Sequence, residues 1–258
     1  MRTCRYVLPR LISVISLAVL AACGGGGGSS EPAANLPVPD ASVGGIWVGT
    51  TTDNVSTEPQ FFLGVSTDDG RFRFLSADTL GQFVGTFSAD GTSLSGSGVG
   101  IAPVGSTWLD NSTTIDINMS GTISERASMS GNWSGGTGET GTFSFVYDGI
   151  YARGSALSTV AGSWVSLDEL DNPIGSITID SAGRMDAQDA AGCLYSGDVS
   201  IINASYNAYD LDLTVTSCGN FDGVYSGLAV VADTDAPDDT LVYSVDNGTW
   251  FIIAEAYR

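Results

Sequence analysis

The sequence predicts an all-β protein with two tandem antiparallel meander domains, each most simply a small eight-stranded β-barrel. Three observations predict this fold class. Short apolar segments alternate with polar residues at a period of two, turn residues (Gly, Asn, Asp, Ser) separate them, and the second half of the chain repeats features of the first. Closure into a barrel removes exposed strand edges; a sandwich of two packed sheets is the alternative architecture.

Residues 1–22 have the composition of a bacterial signal peptide. Three arginines precede an apolar run, residues 11–20, which is too short to cross about 30 Å of hydrocarbon as a helix. We therefore expect this segment to be removed during export.

The residues that end this segment, Leu20-Ala21-Ala22-Cys23, resemble the lipobox of bacterial lipoproteins. The resemblance implies that Cys23 is lipidated and becomes the first residue of the mature chain. Because Gly24 follows, and not the Asp that favours retention in the inner membrane, the expected location is the outer membrane, on its periplasmic side or at the cell surface. An ordinary secretory signal cleaved after Ala22 is the alternative.

Residues 23–43 are predicted to form a tether. A run of glycines and serines is flexible, and the prolines that follow make the chain stiffer.

Composition excludes several function classes. The chain carries 29 acidic residues against nine basic ones, for a formal net charge of −20, and it contains no histidine and no lysine. Such a surface repels nucleic acid. A Ser-His-Asp triad, a histidine-based metal site and a lysine Schiff base are impossible.

Four cysteines have different expected fates. Cys4 leaves with the signal peptide and Cys23 is the lipid acceptor. The remaining two, Cys193 and Cys218, are expected to form one structural disulfide, since an exported protein meets oxidising conditions and no CxxC spacing is present.

The first domain is predicted over residues 44–154. Phe61–Val65 and Arg71–Phe74 are strand-like runs joined by the turn 68–70, and Thr113–Met119 alternates with period two. This pattern indicates strands with one solvent-exposed face and one buried face.

The second domain is predicted over residues 161–258. It holds about eight strand-like runs, and Tyr209–Val215 shows the clearest alternation. Short turns between the runs indicate an antiparallel meander, and eight strands suffice to close a small barrel. The runs begin near residues 162, 174, 184, 193, 206, 222, 240 and 249.

Four pairs of short motifs indicate an internal repeat. Gly45-Ile46-Trp47 corresponds to Gly162-Ser163-Trp164, and Asp69–Phe72 corresponds to Ala182–Met185. Ile115-Asp116-Ile117 is paired with Leu211-Asp212-Leu213, and Gly131-Asn132-Trp133 with Gly219-Asn220-Phe221.

The Gly-x-Trp of each half resembles the first strand of lipocalins and avidins, in which the tryptophan plugs one end of a barrel. Residues 131–143 are similar to a Gly-rich hairpin in the barrel domains of Gram-negative surface lipoproteins. Both resemblances imply small barrels, and neither transfers binding residues.

Large aromatic residues are candidate ligand contacts. Trp47 and Trp164 are expected in the core, as is usual for tryptophans of a β domain, whereas Trp133 is either core or cavity wall. Trp108 follows a Pro-Val-Gly sequence that is typical of a loop, and an exposed aromatic ring there would be a contact point.

One acidic segment is a candidate Ca²⁺ site. The run 233–239 places four carboxylates between two apolar strands, and Ca²⁺ prefers several oxygen ligands. A solvated acidic turn is the favoured interpretation, because Asp is common in turns. The candidate ligands are Asp233, Asp235, Asp238 and Asp239; a second acidic loop, 168–173, has a weaker case.

These patterns favour a lipid-anchored outer-membrane lipoprotein with a non-enzymatic binding or structural role. The N-terminal lipid is expected to attach the protein to the membrane. The expected binding partner is a protein, a glycan or a small molecule. The first alternative is a lipocalin-like carrier, which requires an open cavity lined by Phe and Tyr with small residues opposite. The second is a carboxylate-based glycan hydrolase, which requires two converging acids in a cleft.

Overall fold

A computed structural model describes residues 39–258, except residues 57 and 169. The described chain forms two closed eight-stranded antiparallel barrels in tandem. The predicted fold class is therefore confirmed, as barrels and not as sandwiches. The predicted signal peptide, Cys23 and the predicted tether as far as residue 38 lie outside the described residues.

In the first barrel every strand pairs with the next, and the last strand pairs with the first. Its strands are β1 (Gly45–Asp53), β2 (Gln60–Ser66), β3 (Arg71–Ser76), β4 (Gln82–Asp90), β5 (Ser93–Ile101), β6 (Thr114–Ser124), β7 (Ser128–Gly135) and β8 (Thr140–Asp148).

A 3-10 turn (Gly149–Arg153) and a short helix, α1 (Leu157–Val160), connect the barrels. The second barrel repeats the up-and-down order. Its strands are β9 (Gly162–Leu167), β10 (Pro173–Ile179), β11 (Arg184–Asp189), β12 (Leu194–Ile201), β13 (Tyr209–Thr216), β14 (Gly223–Ala232), β15 (Thr240–Asp246) and β16 (Phe251–Tyr257).

A buried tryptophan closes the same end of each barrel. Trp47 and Trp164 are both 0% exposed and stand on the first strand of their barrels. The indole N–H of Trp47 donates to Ser66 Oγ at 2.8 Å, and that of Trp164 donates to the carbonyl of Val160 at 2.8 Å. The aromatic plug and its satisfied polar atom explain why both tryptophans belong to the core.

The second repeat motif also occupies equivalent turns. Gly70 and Gly183 lie between the second and third strands of their barrels with φ of 95° and 90°. A Cβ at these positions would clash with the carbonyl oxygen of Phe87 or Val199, which adds to the backbone requirement for glycine.

The other two motif pairs are not structurally equivalent. Ile115–Ile117 lies on the sixth strand of its barrel, whereas Leu211–Leu213 lies on the fifth. Gly131–Trp133 lies within β7, whereas Gly219–Phe221 is a 3-10 turn before β14. Strands with the same alternation and similar composition can match in sequence although they occupy different positions in their barrels. Two of the four predicted correspondences are therefore wrong.

The barrels lie side by side and share a buried junction. Outward residues of β2 and β14 meet residues near the connection in a small apolar cluster. Its four buried members are Val65, Tyr151, Ala208 and Leu228. The ring of Tyr151 stacks on that of Tyr206, with centroids 4.9 Å apart.

Ion pairs surround this cluster. Arg73 pairs with Asp246 and donates to the carbonyl of Ser226 at 2.8 Å. Arg71 pairs with Asp210 at 2.5 Å. The outer face of β3 therefore supplies basic side chains to an acidic second barrel.

In the described part of the chain, no helix is long and apolar enough to cross a membrane.

Candidate ligand-binding site

The first barrel contains an open cavity of about 370 Å³. This volume lies within the range of small-molecule pockets in proteins. The cavity opens at the end opposite Trp47, between the β1–β2, β3–β4 and β5–β6 loops. All of its lining residues belong to the first barrel.

Aromatic side chains form most of the cavity wall. Phe74 stacks on Phe145 with centroids 5.1 Å apart, and Phe62 packs against Phe83 at 5.2 Å. The other aromatic lining residues are Phe72, Trp108 and Trp133. A ligand here would exchange water for apolar carbon over most of its surface.

Glycines on β5 make room for aromatic rings inside the first barrel. Leu94 is followed on the inner face by Gly96, Gly98 and Gly100. A Cβ at Gly96 would meet the Phe87 ring, and one at Gly100 would meet Trp108 at 2.9 Å and Phe83 at 3.1 Å. The aromatic rings therefore lie directly on bare backbone.

The equivalent strand of the second barrel carries large side chains. The inner face of β13 presents Tyr209, Leu211, Leu213 and Val215, each at most 1% exposed. These residues belong to a cluster of 17 buried residues that fills the second barrel. The same topology thus holds a cavity in one barrel and a packed core in the other.

The ends of the barrels differ in the same way. At the end of the second barrel that corresponds to the mouth of the first, the disulfide Cys193–Cys218 joins the turns beside the neighbouring strands β12 and β13, with Cα atoms 4.7 Å apart. Phe221 packs edge-on against Trp250 beside it, at 5.0 Å. The first barrel has instead the long β5–β6 loop, residues 102–113, at its mouth.

Exposed apolar side chains surround the mouth. Val55, Val104 and Leu109 are at least half exposed on two of the loops that frame it. An apolar rim next to an apolar cavity favours a ligand of the same character.

Two polar atoms of the cavity lining lack a hydrogen-bond partner within the described residues. They are Oε1 of Glu139, a side chain that is only 5% exposed, and the indole Nε1 of Trp108. A buried polar atom without a partner costs free energy, so each is a natural contact for a ligand.

A second acid at the mouth is satisfied. Asp53 Oδ1 accepts from the backbone N–H of Val55 at 2.7 Å and from that of Ser56, and its Oδ2 accepts from Gln60 Nε2 at 3.1 Å. These bonds hold the turn after β1 and leave Asp53 a structural role.

A comparison with solved structures finds a distant fold likeness. Immune modulator A of Aeromonas veronii aligns at 11% identity with a TM-score of 0.38, over 86% of this chain and 96% of that one. This likeness carries no argument about function. No protein-family model matches the chain. No curated protein sequence matches it either.

Trp133 and Trp108 both lie at the cavity of the first barrel. Trp133 is half-buried, lines the cavity and donates from its indole to the carbonyl of Thr52 at 3.0 Å. Trp108 is on a loop, as expected, but it is half-buried and packs edge-on against Phe83 at 5.8 Å. Its ring is therefore not fully exposed, because it packs against Phe83 at the wall of the apolar cavity.

Three of the four carboxylates proposed for Ca²⁺ have other partners in the structure. Asp233 pairs with Arg153, and Asp238 lies 3.6 Å from the same guanidinium group. Asp239 accepts backbone hydrogen bonds across the turn, while Asp235 donates one of these through its N–H. Binding of Ca²⁺ at this turn stays a prediction.

One metal-type cluster occurs within the described residues. Asp189, Cys193 and Cys218 bring ligand atoms within 4.8 Å of one another. Both sulfur atoms are bonded to each other, so the cluster is a disulfide with a carboxylate beside it.

Sequence reasoning did not find Glu139. It lies in the Gly-rich hairpin 131–143, whose resemblance to other barrel domains concerns architecture alone. The signal available was a single acid between Gly and Thr residues of a barrel hairpin, and no spacing rule marks such an acid as inward-facing.

Proposed function

We propose that this protein binds a small, largely apolar molecule in the cavity of its first barrel, with no chemical conversion of the ligand. The observation that carries the proposal is the open, aromatic-walled space of about 370 Å³. The second barrel has a packed core and contacts the outer face of the first barrel. Among the expected partner classes, this favours a small molecule; protein and glycan partners stay predictions.

Binding is favoured over glycan hydrolysis by the state of the two acids at the cavity. A carboxylate hydrolase needs one group to attack or activate water and another to protonate the leaving oxygen. Both oxygens of Asp53 are held by its own turn, and one oxygen of Glu139 accepts from Thr137 Oγ1. Neither arrangement leaves a free pair of converging acids.

An N-terminal lipid anchor completes the proposal. Its support is the lipobox-like sequence that ends at Cys23, with a Gly-rich tether after it. Mass spectrometry of the mature protein, isolated from membranes, is expected to find acyl chains on Cys23; an unmodified N-terminus would refute the anchor.

The binding proposal is tested by filling the cavity from β1. Thr51 lines the cavity, whereas its neighbour Thr50 is exposed on the outside of the same strand. N-phenyl-1-naphthylamine, a neutral apolar dye, is expected to bind the wild type with a rise in fluorescence. Thr51→Phe should weaken dye binding by about tenfold or more because the added ring occupies the space, a change of about 1.4 kcal/mol.

The matched control is Thr50→Phe, which adds the same ring to the outer face and should leave dye binding unchanged. Thermal unfolding of both variants checks that the barrel is intact. Equal dye binding by Thr51→Phe and the wild type, or none by the wild type, would contradict the proposal.

A further inference from the structure

The cavity is lined mainly by apolar side chains, but its lining also contains two acidic residues, Asp53 and Glu139. Glu139 stands at the β7–β8 turn and is 5% exposed. Its backbone carbonyl accepts from the N–H of Gly135 at 2.7 Å, and its Oε2 accepts from Thr137 Oγ1. These bonds fix the side chain at the inner wall, where Oε1 accepts no hydrogen bond from any described residue.

No described basic side chain balances this carboxyl group at the cavity. The charged residues of the lining are Asp53 and Glu139 alone. Arg71 and Arg73 are committed to the second barrel on the outer face of β3, and Arg126 lies by Tyr206 near the Trp47 end. The other described arginines, Arg153, Arg184 and Arg258, belong to the connection or to the second barrel and do not line the cavity.

This charge pattern discriminates between head groups. A carboxylate ligand would bring a third negative charge beside two acids in a site of low dielectric, where like charges repel strongly. An ammonium group would instead donate to Glu139 Oε1 in a charge-assisted hydrogen bond. A hydroxyl group would donate there without charge compensation.

Trp108 adds a complementary donor. Its buried Nε1–H lacks a partner in the described chain and lines the same cavity. A ligand with a lone pair on its apolar body, such as an ether or carbonyl oxygen, would satisfy this group.

We infer that the cavity selects apolar molecules with a hydrogen-bond-donating head group, a protonated amine above all, and rejects carboxylates, with Glu139 as the specificity-determining residue. This inference rests on the proposed ligand-binding function. It places the amine at the β7–β8 turn and the apolar body among the phenylalanines.

The test displaces bound N-phenyl-1-naphthylamine with three probes of equal chain length: n-decylamine, n-decanol and decanoate, each below its micelle concentration at neutral pH. The expected order of competition is decylamine, then decanol, then decanoate. Hydrogen bonds to charged groups correspond to roughly tenfold or more in affinity, so decylamine should compete at least about tenfold better than decanoate.

Glu139→Gln identifies the residue responsible. The amide keeps the shape of the side chain and removes its charge, so the preference for decylamine over decanoate should fall by about tenfold while dye binding persists. Asp116→Asn is the matched control. It removes one charge from the exposed outer face of β6 and should leave the preference unchanged.

The outcomes separate the two proposals. If the wild-type protein does not bind the dye, the proposed ligand-binding function is refuted. Dye binding with equal competition by decylamine and decanoate overturns the inference alone, as does an unchanged preference in a folded Glu139→Gln. The three-probe comparison on the wild type decides the selectivity even where the variant fails to fold.

Discussion

At the residue scale, Asp239 shows how the acidic turn between β14 and β15 is stabilised. Its carboxylate accepts from the backbone N–H groups of Thr234, Asp235 and Ala236 at 2.7–2.8 Å. Burial disfavours the charged form, but the N–H groups, that of Thr234 foremost, outweigh it and hold the pKa of Asp239 below its ordinary value.

This depressed pKa has a consequence for acid stability. A carboxyl group with a lowered folded-state pKa contributes stability that is fully present above its unfolded pKa, near 3.8, and is lost as the pH falls through the folded value. Asp239→Asn is therefore expected to lower the free energy of unfolding at pH 7 and to flatten its decline below about pH 4. Urea unfolding across this range measures both effects.

Asp235→Asn is the control, since the Asp235 side chain accepts none of the hydrogen bonds described for this turn. It should leave the pH profile near that of the wild type. If the free energy of unfolding of Asp239→Asn followed the same pH profile as that of the wild type, the turn would not depend on the carboxylate.

At the element scale, one pair of equivalent strands differs between the barrel with the cavity and the packed barrel. β5 and β13 are both the fifth strand of their barrels, but β5 presents three glycines inward where β13 presents Leu211, Leu213 and Val215. Strand existence, the number of strands and the Gly-x-Trp plugs could be predicted, because period-two patterns and turn residues are local signals.

The cavity could not be predicted, because it depends on which rings lie over which glycines across neighbouring strands. Gly96 and Gly100 read locally as weak strand residues. Only the closed barrel shows that their missing side chains leave room for Phe87, Phe83 and Trp108.

The disulfide belongs to this scale, since it joins the β11–β12 and β13–β14 turns. Its loop spans 25 residues. Replacing Cys193 and Cys218 together by alanine should lower the free energy of unfolding by about 3 kcal/mol on the chain-entropy model, because the unfolded chain gains freedom. Denaturant unfolding of both proteins measures this difference.

Dye binding to the first barrel serves as the internal control, since the disulfide lies at an end of the second barrel remote from the cavity lining. The double variant should bind N-phenyl-1-naphthylamine as the wild type does. Unfolding midpoints that coincide with those of the wild type would count against a structural role for the disulfide.

At the scale of the whole molecule, the junction between the barrels depends unequally on its two arginines from β3. The side chains of Arg73 and Asp246 are 14% and 13% exposed, whereas those of Arg71 and Asp210 are 42% and 35% exposed. Screening by water makes the second pair weak, and burial makes the loss of one partner from the first pair costly.

Arg73→Ala is therefore expected to destabilise the protein by about 3 kcal/mol, since it leaves Asp246 without its cation and the Ser226 carbonyl without a donor. Arg71→Ala, the matched control on the same strand face, should cost at most about 1 kcal/mol. Equal losses in the two variants, measured by urea unfolding, would contradict this ranking.

The start of the described chain has a consequence for how the molecule works when held by its N-terminus. Ala41 donates to Gly91 O at 2.9 Å, and Val43 is buried beside Trp47, so the last residues of the predicted tether pack against the plugged end of the first barrel. The mouth is at the opposite end. With the proposed anchor, the tether would join the barrel at the end remote from the mouth, so the proposed ligand would enter and leave without passing the point of attachment.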